Sequence, residues 1–451
     1  MTAVTPRPNA RPEPLLQKAR LGVPPKNPSP NTPAASNRRY RAARSIVTSL
    51  LRRFTSDSLT IREGDDLAIY GPGGGIEAAL TVVDPRAWWH LGTEGSIGLG
   101  RGFIEGWWHS EDPDLVVRVA ARNMRTLDEY RNRLANVTNP FVDRVRSLGP
   151  TPDRSKNRED IGAHYDLGNS FFELFLDETM TYSSAVFERP DHSLRDASNA
   201  KYDRLLRKLG VSPGMTVTEI GTGWGGMALR AAQQFGAQVT TTTISHEQYA
   251  EANRRAESAQ AQGHIDPGQI RLLELDWRDL AKAVGTPADR MVSVEMIEAV
   301  HWREYPAFFK AIEANIAADG MVGLQAICVP DRRYERTKHT EDFIARFVFP
   351  GGFLPSIRKI AQVVSRHTHL QLLDVEDLGA HYAETLRQWR ERFDSRTEEL
   401  YQLGLDDRFV RLWRFYLAYC QAAFAERHCT VNQLVLVGPD WRPNGLELRP
   451  V

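Results

Sequence analysis

Along the second half of the chain, short apolar and β-branched runs alternate with stretches of helical spacing. The first run, Val217-Thr218-Glu219-Ile220, gives way to closely spaced glycines in Gly221-Thr222-Gly223-Trp224-Gly225-Gly226. Met227-Ala228-Leu229-Arg230-Ala231-Ala232 then begins a helix-favouring pattern. Further strands are predicted over Ala237 to Thr243, Arg271 to Leu275, Met291 to Glu295 and Met321 to Ile327, with helical stretches between them. That alternation predicts βαβ units and an α/β fold with a doubly wound sheet. The glycines fall on the first strand-to-helix turn, where a missing Cβ lets a ligand approach the backbone closely. In such sheets the carboxyl end of the first strand is where nucleotide-like ligands bind. No Asp or Glu stands at the tip of the second strand, Thr240-Thr241-Thr242-Thr243-Ile244-Ser245, where dinucleotide enzymes hold a ribose.

Elsewhere the pattern changes. Residues 1–40 read as a disordered, basic, proline-rich tail; up to Ala35 roughly a quarter are proline, and Arg7, Arg11, Lys18, Arg20 and Lys26 face one acid, Glu13. Ile46 to Phe54 can be drawn as an amphipathic helix with a basic edge. Short strands and turns follow between Ser56 and Ala121, including Gly71-Pro72-Gly73-Gly74-Gly75, within a small N-terminal domain over 41–147. A polar linker is expected over 148–160 and a larger domain over 161–441. Inside the latter, about 328–368 breaks the alternation and carries Phe343, Ile344, Phe347, Val348, Phe349, Phe353, Leu354 and Ile357, more apolar bulk than a surface loop holds.

Composition adds bounds. The formal charge is zero, which gives no global argument for nucleic acid, and no run of about 18 apolar residues predicts a membrane span. The N-terminus lacks the apolar core of a signal peptide. Cys328, Cys420 and Cys429 are too few and too scattered for a disulfide framework or a zinc site, which fits a reducing cytoplasm. No metal is expected.

Five ordered motifs carry a resemblance: His164-Tyr165-Asp166-Leu167-Gly168-Asn169, the glycine turn, Leu275-Asp276-Trp277-Arg278-Asp279, Met291-Val292-Ser293-Val294-Glu295-Met296-Ile297-Glu298-Ala299-Val300, and Phe349-Pro350-Gly351-Gly352-Phe353-Leu354-Pro355-Ser356. Together they resemble the cyclopropane-fatty-acyl-phospholipid and mycolic acid cyclopropane synthases, from about Ser96 to about Val437. Ser96 to Trp108 is similar to the N-terminal domain of the full-length, phospholipid-acting synthases; its paired tryptophans read as core. The resemblance implies a Rossmann-like, class I S-adenosylmethionine methyltransferase domain beside the small α+β domain. The cofactor would lie against Gly221, Thr222 and Gly223, against Thr243, Ile244 and Gln248 at the second strand tip, against Trp277 and Arg278 after the third, and against Tyr182 and Ser183 at its methionine end. The apolar insertion would cover an acyl chain.

In that family a bound bicarbonate serves as proton acceptor, held by a Cys, a Glu, a His and a Tyr. Here Ser184 stands for the Cys and Gln325 for the His, while Glu298 and Tyr382 are kept. Glu178 stands where the family usually has Pro. A carboxylate arriving as the anion's ligands are lost implies that Glu178 replaces bicarbonate. A displaced base would turn the reaction from ring closure to an exocyclic methylene, the product of the actinobacterial 10-methylene-stearate branch; the ring-forming synthase is the alternative. Implied partners are an unsaturated phospholipid, the anionic inner face of a membrane approached from the cytoplasm, and a reductase acting on the methylene product. A homodimer is the oligomer to test. A small-molecule methyltransferase would lack the apolar insertion, and a dead lipid-binding protein would have lost the glycine turn or Glu298.

Overall fold

The computed structural model describes residues 35–124 and 167–443. The tail before residue 35, the linker over 148–160 and the His164-Tyr165-Asp166 part of the first motif lie outside the described residues.

The larger unit is built on a seven-stranded sheet of β5 (Thr216–Ile220), β6 (Gln238–Thr243), β7 (Ile270–Glu274), β8 (Ala288–Val294), β9 (Ile316–Cys328), β10 (Gln371–Asp377) and β11 (Thr430–Val437), in the order β10-β11-β9-β8-β5-β6-β7. All neighbours from β7 to β9 pair parallel, whereas β11 pairs antiparallel with both β9 and β10. The order reverses between β5 and β8, so a crevice opens at their carboxyl ends. Helices cover both faces; Ala228, Ala231 and Ala232 of the helix Gly226–Phe235 bury against one, and Phe308, Phe309 and Ile312 of Tyr305–Asn315 against the other. Ser245, whose side chain accepts from the Gln248 amide, caps the helix His246–Ala261, and Asp406 caps Asp407–Ala425 through the Phe409 amide.

The smaller unit departs from its expected run of strands. β1 (Asp57–Glu63), β2 (Asp66–Gly73), β3 (Glu77–Val82) and the short β4 (Trp108–His109) form a sheet ordered β2-β1-β3-β4. Helices Arg86–Glu94, Ser96–Ile104 and Pro113–Arg122 occupy much of the rest. Ser96–Ile104 is helical despite its glycines because contact requires them. A Cβ at Gly98 would sit 1.9 Å from the His90 carbonyl, and one at Gly100 would meet the ring of Phe343 at 2.2 Å. Trp107 and Trp108 are buried, as expected of core. The preceding helix spans Ala35–Leu51, longer toward the N-terminus than the pattern implied, and buries Ala43, Val47 and Leu51 at four-residue spacing.

The two units share one apolar core. Phe103 and Trp108 pack on Phe415 at centroid distances of 5.3 and 5.9 Å, and Arg118 and Arg122 both reach Glu426 at 2.7 Å. The insertion folds into helices Asp331–Thr337, Phe343–Phe347 and Ile357–His367 and closes over the same core, with Phe343 against Phe415 (4.9 Å) and Phe349 against Tyr416 (5.9 Å).

Candidate active site

The crevice between β5 and β8 gathers most of the residues singled out in the sequence. Gly221, Gly223 and Gly225 have φ of 95°, 53° and 87°, the left-handed region that favours glycine. The Gly221 and Thr222 amides donate to the Thr242 carbonyl at 3.0 and 2.9 Å, and the Thr222 hydroxyl lies 2.6 Å from that of Thr241. The turn is thereby fixed to the second strand tip. A Cβ on Gly223 would meet no atom of the described residues within 4 Å, so among them the turn borders open space. At the same tip Thr243 donates to Gln248 (2.9 Å), with half-buried Ile244 between them in sequence.

Trp277 follows β7 and packs edge-on to Phe308 (5.3 Å), with the Arg278 guanidinium 4.6 Å from its ring. Arg278 is itself held by Asp276 (2.9 Å) and Glu304 (2.8 Å), which makes it a brace for this loop. The segment 177–184 lies beside the glycine turn: Arg255 donates to the carbonyls of Thr179 (2.9 Å) and Trp224 (3.1 Å), and the Tyr182 hydroxyl is 2.9 Å from that of Tyr416. These strand tips fit an adenosine-bearing cofactor: a backbone cradle, open space over Gly223, and small hydroxyl and amide groups in place of an acid. Gly223→Val would fill that space and strain a positive φ; isothermal titration should show S-adenosylmethionine affinity reduced roughly tenfold or more, given that a 1.4 kcal/mol clash already costs that factor. A folded variant with the parent's affinity would remove the turn from the cofactor site.

Glu178, expected from the sequence to stand in for the anion, is not brought to the altered ligands. Glu178 is exposed, and its backbone carbonyl accepts from Arg255; it is not the carboxylate among the altered anion ligands. That place belongs to Glu295, the residue just past β8. Its Oε1 accepts from the Ser184 amide (2.9 Å) and the Gln325 side-chain amide (2.8 Å), and its Oε2 from the Tyr382 hydroxyl (2.8 Å). Ser184 thus contributes its backbone N–H, while its hydroxyl turns to the Ala185 carbonyl (3.1 Å). Gln325 is oriented in turn by Gln433, which donates to its Oε1 at 3.1 Å. The β8–β9 register, Val294 opposite Gln325, sets this meeting, and the Glu295 amide bonds to the Gln325 carbonyl (2.8 Å). Glu295 adopts φ 49°, a conformation that costs a non-glycine residue of order 1–3 kcal/mol and concentrates at functional sites.

Glu298 sits beside it without ligating it. One of its oxygens accepts from the Ile327 amide, and the other is buried without a partner among the described residues. Burial, with the adjacent Glu295 charge, pushes its carboxyl up to about 8. Burial also raises Glu295, opposed by Lys201 and then by its hydrogen-bond donors. Lys201 itself is completely buried, donates to the Ser183 hydroxyl at 2.6 Å and is pushed down to about 8 by burial, against the pull of Glu295, Asp177 and Glu219. Aromatic rings surround the cluster: Tyr382 lies 4.4 Å from Phe424, and Tyr182 lies 5.3 Å from Trp389.

Two functional candidates were therefore missed. Glu295 carried a signal, an acid directly after the buried run Met291-Val292-Ser293-Val294. Lys201 carried another, a cation on the buried face Leu194, Ala197, Ser198, Leu205 of the helix Leu194–Lys208.

The profile of the Mycolic acid cyclopropane synthetase family matches residues 152–434. The chain is 39% identical over 414 residues to the Tuberculostearic acid methyltransferase UfaA1 of Mycobacterium tuberculosis, covering 88% of this chain and 92% of that one. It is 32% identical over 370 residues to the Cyclopropane-fatty-acyl-phospholipid synthase of Escherichia coli, covering 80% and 88%. Among solved structures, the cyclopropane synthase MmaA2 from Mycobacterium tuberculosis superposes with a TM-score of 0.56 at 31% identity, over 64% of this chain and 99% of that one. The mycolic acid cyclopropane synthase CmaA1 complexed with SAH and CTAB gives 0.56 at 30% identity over the same shares. With the strand order, the glycine cradle and the residues around Glu295, these likenesses lead to one conclusion: the chain belongs to the mycolic acid cyclopropane synthetase family of S-adenosylmethionine-dependent methyltransferases.

Proposed function

We propose that the protein methylates the double bond of an oleoyl-type phospholipid chain to give a 10-methylene acyl product, with Glu295 as the proton acceptor. The observation that carries this is the Glu295 carboxylate, bonded by Ser184, Gln325 and Tyr382, the positions at which the resemblance places the bicarbonate ligands. S-adenosylmethionine, when bound, supplies an electrophilic methyl on a sulfonium. Its transfer to the alkene would form the new C–CH3 bond from the π pair, return the C–S pair to sulfur and leave a cation on the acyl chain. The Glu295 carboxylate and the rings of Tyr382, Tyr182 and Trp389 lower the energy of that cation, the rings by roughly 0.5–2 kcal/mol each. A hydride shift from the methylated carbon moves the cation onto it, a proton of the new methyl passes to Glu295, and the freed C–H pair becomes the exocyclic double bond. A base tethered to the backbone cannot follow the substrate as a dissociable anion can, which favours deprotonation at one place.

The fold also supports work at a membrane surface. No helix among the described residues is long and apolar enough to cross a membrane. In the small domain, Ile46, Leu67 and Ile69 are 61, 58 and 67% exposed, and Arg38, Arg39, Arg41, Arg52 and Arg53 are exposed on or just past the helix Ala35–Leu51. Such arginines attract anionic lipid by on the order of 1 kcal/mol each.

Incubation with S-adenosylmethionine and dioleoyl phospholipid, followed by mass spectrometry of the released acyl chains after ozonolysis, tests the reading. A methylene chain, cleaved to a ketone, is expected. A cyclopropane chain, which resists ozone, would establish the ring-forming alternative, which the retained Glu298 and Tyr382 favour. Unreacted chains would remove both.

A further inference from the structure

A groove of about 230 Å³ lies outside the site just described, walled by Trp302, Arg303 and Pro306 on one side and by Lys359, Arg366 and His367 on the other. Its two walls come from the loop after Glu298 and from the last helix of the insertion, Ile357–His367, which packs against Tyr305–Asn315. Arg303, Lys359 and Arg366 form no ion pair with a carboxylate among the described residues; the charge of Lys359 is felt by Glu335, which is itself paired with Lys338. The neighbouring acids are engaged elsewhere: Glu335 with Lys338 (2.5 Å), Glu304 with Arg278 (2.8 Å) and Glu313 with His369 (3.1 Å). The groove therefore gathers three cations without an ion-paired carboxylate in a concave place. Trp302 forms its rim, with the Arg303 guanidinium 4.6 Å and the Lys338 ammonium 5.1 Å from its ring, an amphipathic face suited to the boundary between headgroup and acyl chain.

Position ties the groove to the chemistry. Glu298 and Arg303 stand on one loop, so the backbone between them spans at most about 18 Å. The carboxyl half of an acyl chain together with its glycerol and phosphate covers such a span. His301, between them, lies against Phe353 of the insertion at 4.6 Å, and the Phe353 amide donates to the Glu298 carbonyl at 2.8 Å. The loop that carries Glu298 thus leads to the groove and is braced on the way by Phe353 of the insertion.

We infer that this groove binds the phosphate of the substrate's phospholipid headgroup, with Arg303, Lys359 and Arg366 as its donors. The inference rests on the lipid-methylating reading above. The test compares the parent with a triple variant, Arg303→Ala, Lys359→Ala and Arg366→Ala, on dioleoyl phosphatidylglycerol and on dioleoylglycerol in the same detergent micelles. Loss of the charge-assisted bonds should raise KM for the phospholipid roughly 10- to 100-fold, leaving kcat, S-adenosylmethionine affinity and KM for the phosphate-free lipid within about twofold. Calorimetry with dihexanoyl phosphatidylglycerol below its micelle concentration should show the same weakening, and inorganic phosphate should compete with it in the parent. Unchanged phospholipid KM and binding, an equal rise for both lipids, or binding of inorganic phosphate without the short-chain phospholipid would each overturn the assignment. If the parent converts neither lipid, the methylation reading fails, and the short-chain binding still decides the groove.

Discussion

Glu295→Gly should lose 100- to 10,000-fold in turnover, the usual contribution of a general base, and added bicarbonate should restore part of it. The substitution removes the carboxylate and leaves its three donors in place: the Ser184 amide, the Gln325 side chain and the Tyr382 hydroxyl. It also relieves the backbone, because φ 49° suits glycine. The space vacated is the size of a small carboxylate, so bicarbonate, formate or acetate can re-enter among donors already aimed at an anion. The parent should be indifferent to bicarbonate, since its own carboxylate fills the place. Glu295→Gln should lose as much and gain nothing from added anion, because an uncharged side chain still blocks the cavity. Initial rates over a bicarbonate series read all three enzymes. A Glu295→Gly enzyme that turns over like the parent would remove Glu295 from the reaction. Loss without rescue by any small carboxylate would leave it as a base but dissolve the idea that its donors form an anion site.

The contrast between Glu178 and Glu295 shows where sequence reasoning stopped. The expectation that a carboxylate replaces the anion comes from two changed ligands, Ser184 and Gln325, and needs no coordinates. Which carboxylate does so depends on the β8–β9 register and on a reversal of the chain at one positive φ, and neither has a local signature. Both acids lay inside segments already singled out; Glu178 drew attention because it departs from the family, whereas Glu295 is the one the sheet delivers to the site. The parallel strands from β5 to β9 were legible because alternation of apolar runs and helical spacing is a local property. β10 and β11 were not, because an antiparallel strand inserted between β9 and β10 is a choice of pairing partner. Ser96–Ile104 misled in the opposite direction: its glycines look like turns until Phe343, more than two hundred residues away, is seen resting on Gly100.

Lys201→Met should lower kcat/KM at pH 7 on the order of 100-fold and move the acid limb of the pH profile upward. The magnitude follows from ionisation: a carboxyl whose pKa stands about two units above the working pH is ionised about one time in a hundred. The direction follows from the Glu295 environment, where burial raises the carboxyl and the Lys201 charge is the largest influence holding it down. Without Lys201 the carboxyl moves further up, more of it is protonated at neutral pH, and a protonated carboxyl accepts no proton. A merely structural loss would reduce the rate equally at every pH and leave the limb in place. Stability gives a second readout with its own sign. The folded-state pKa of Lys201 is depressed from 10.5 to about 8, so between those values the unfolded chain holds the extra proton and the parent gains stability as pH rises. The Met variant lacks that gain. Melting temperatures across this window should therefore climb for the parent relative to the variant, and at lower pH the difference should already widen through the range in which Glu295 is ionised in the parent and still protonated in the variant. A limb that does not move, with melting curves that run parallel throughout, would reduce Lys201 to a packing residue and leave the ionisation of Glu295 to its hydrogen-bond donors alone.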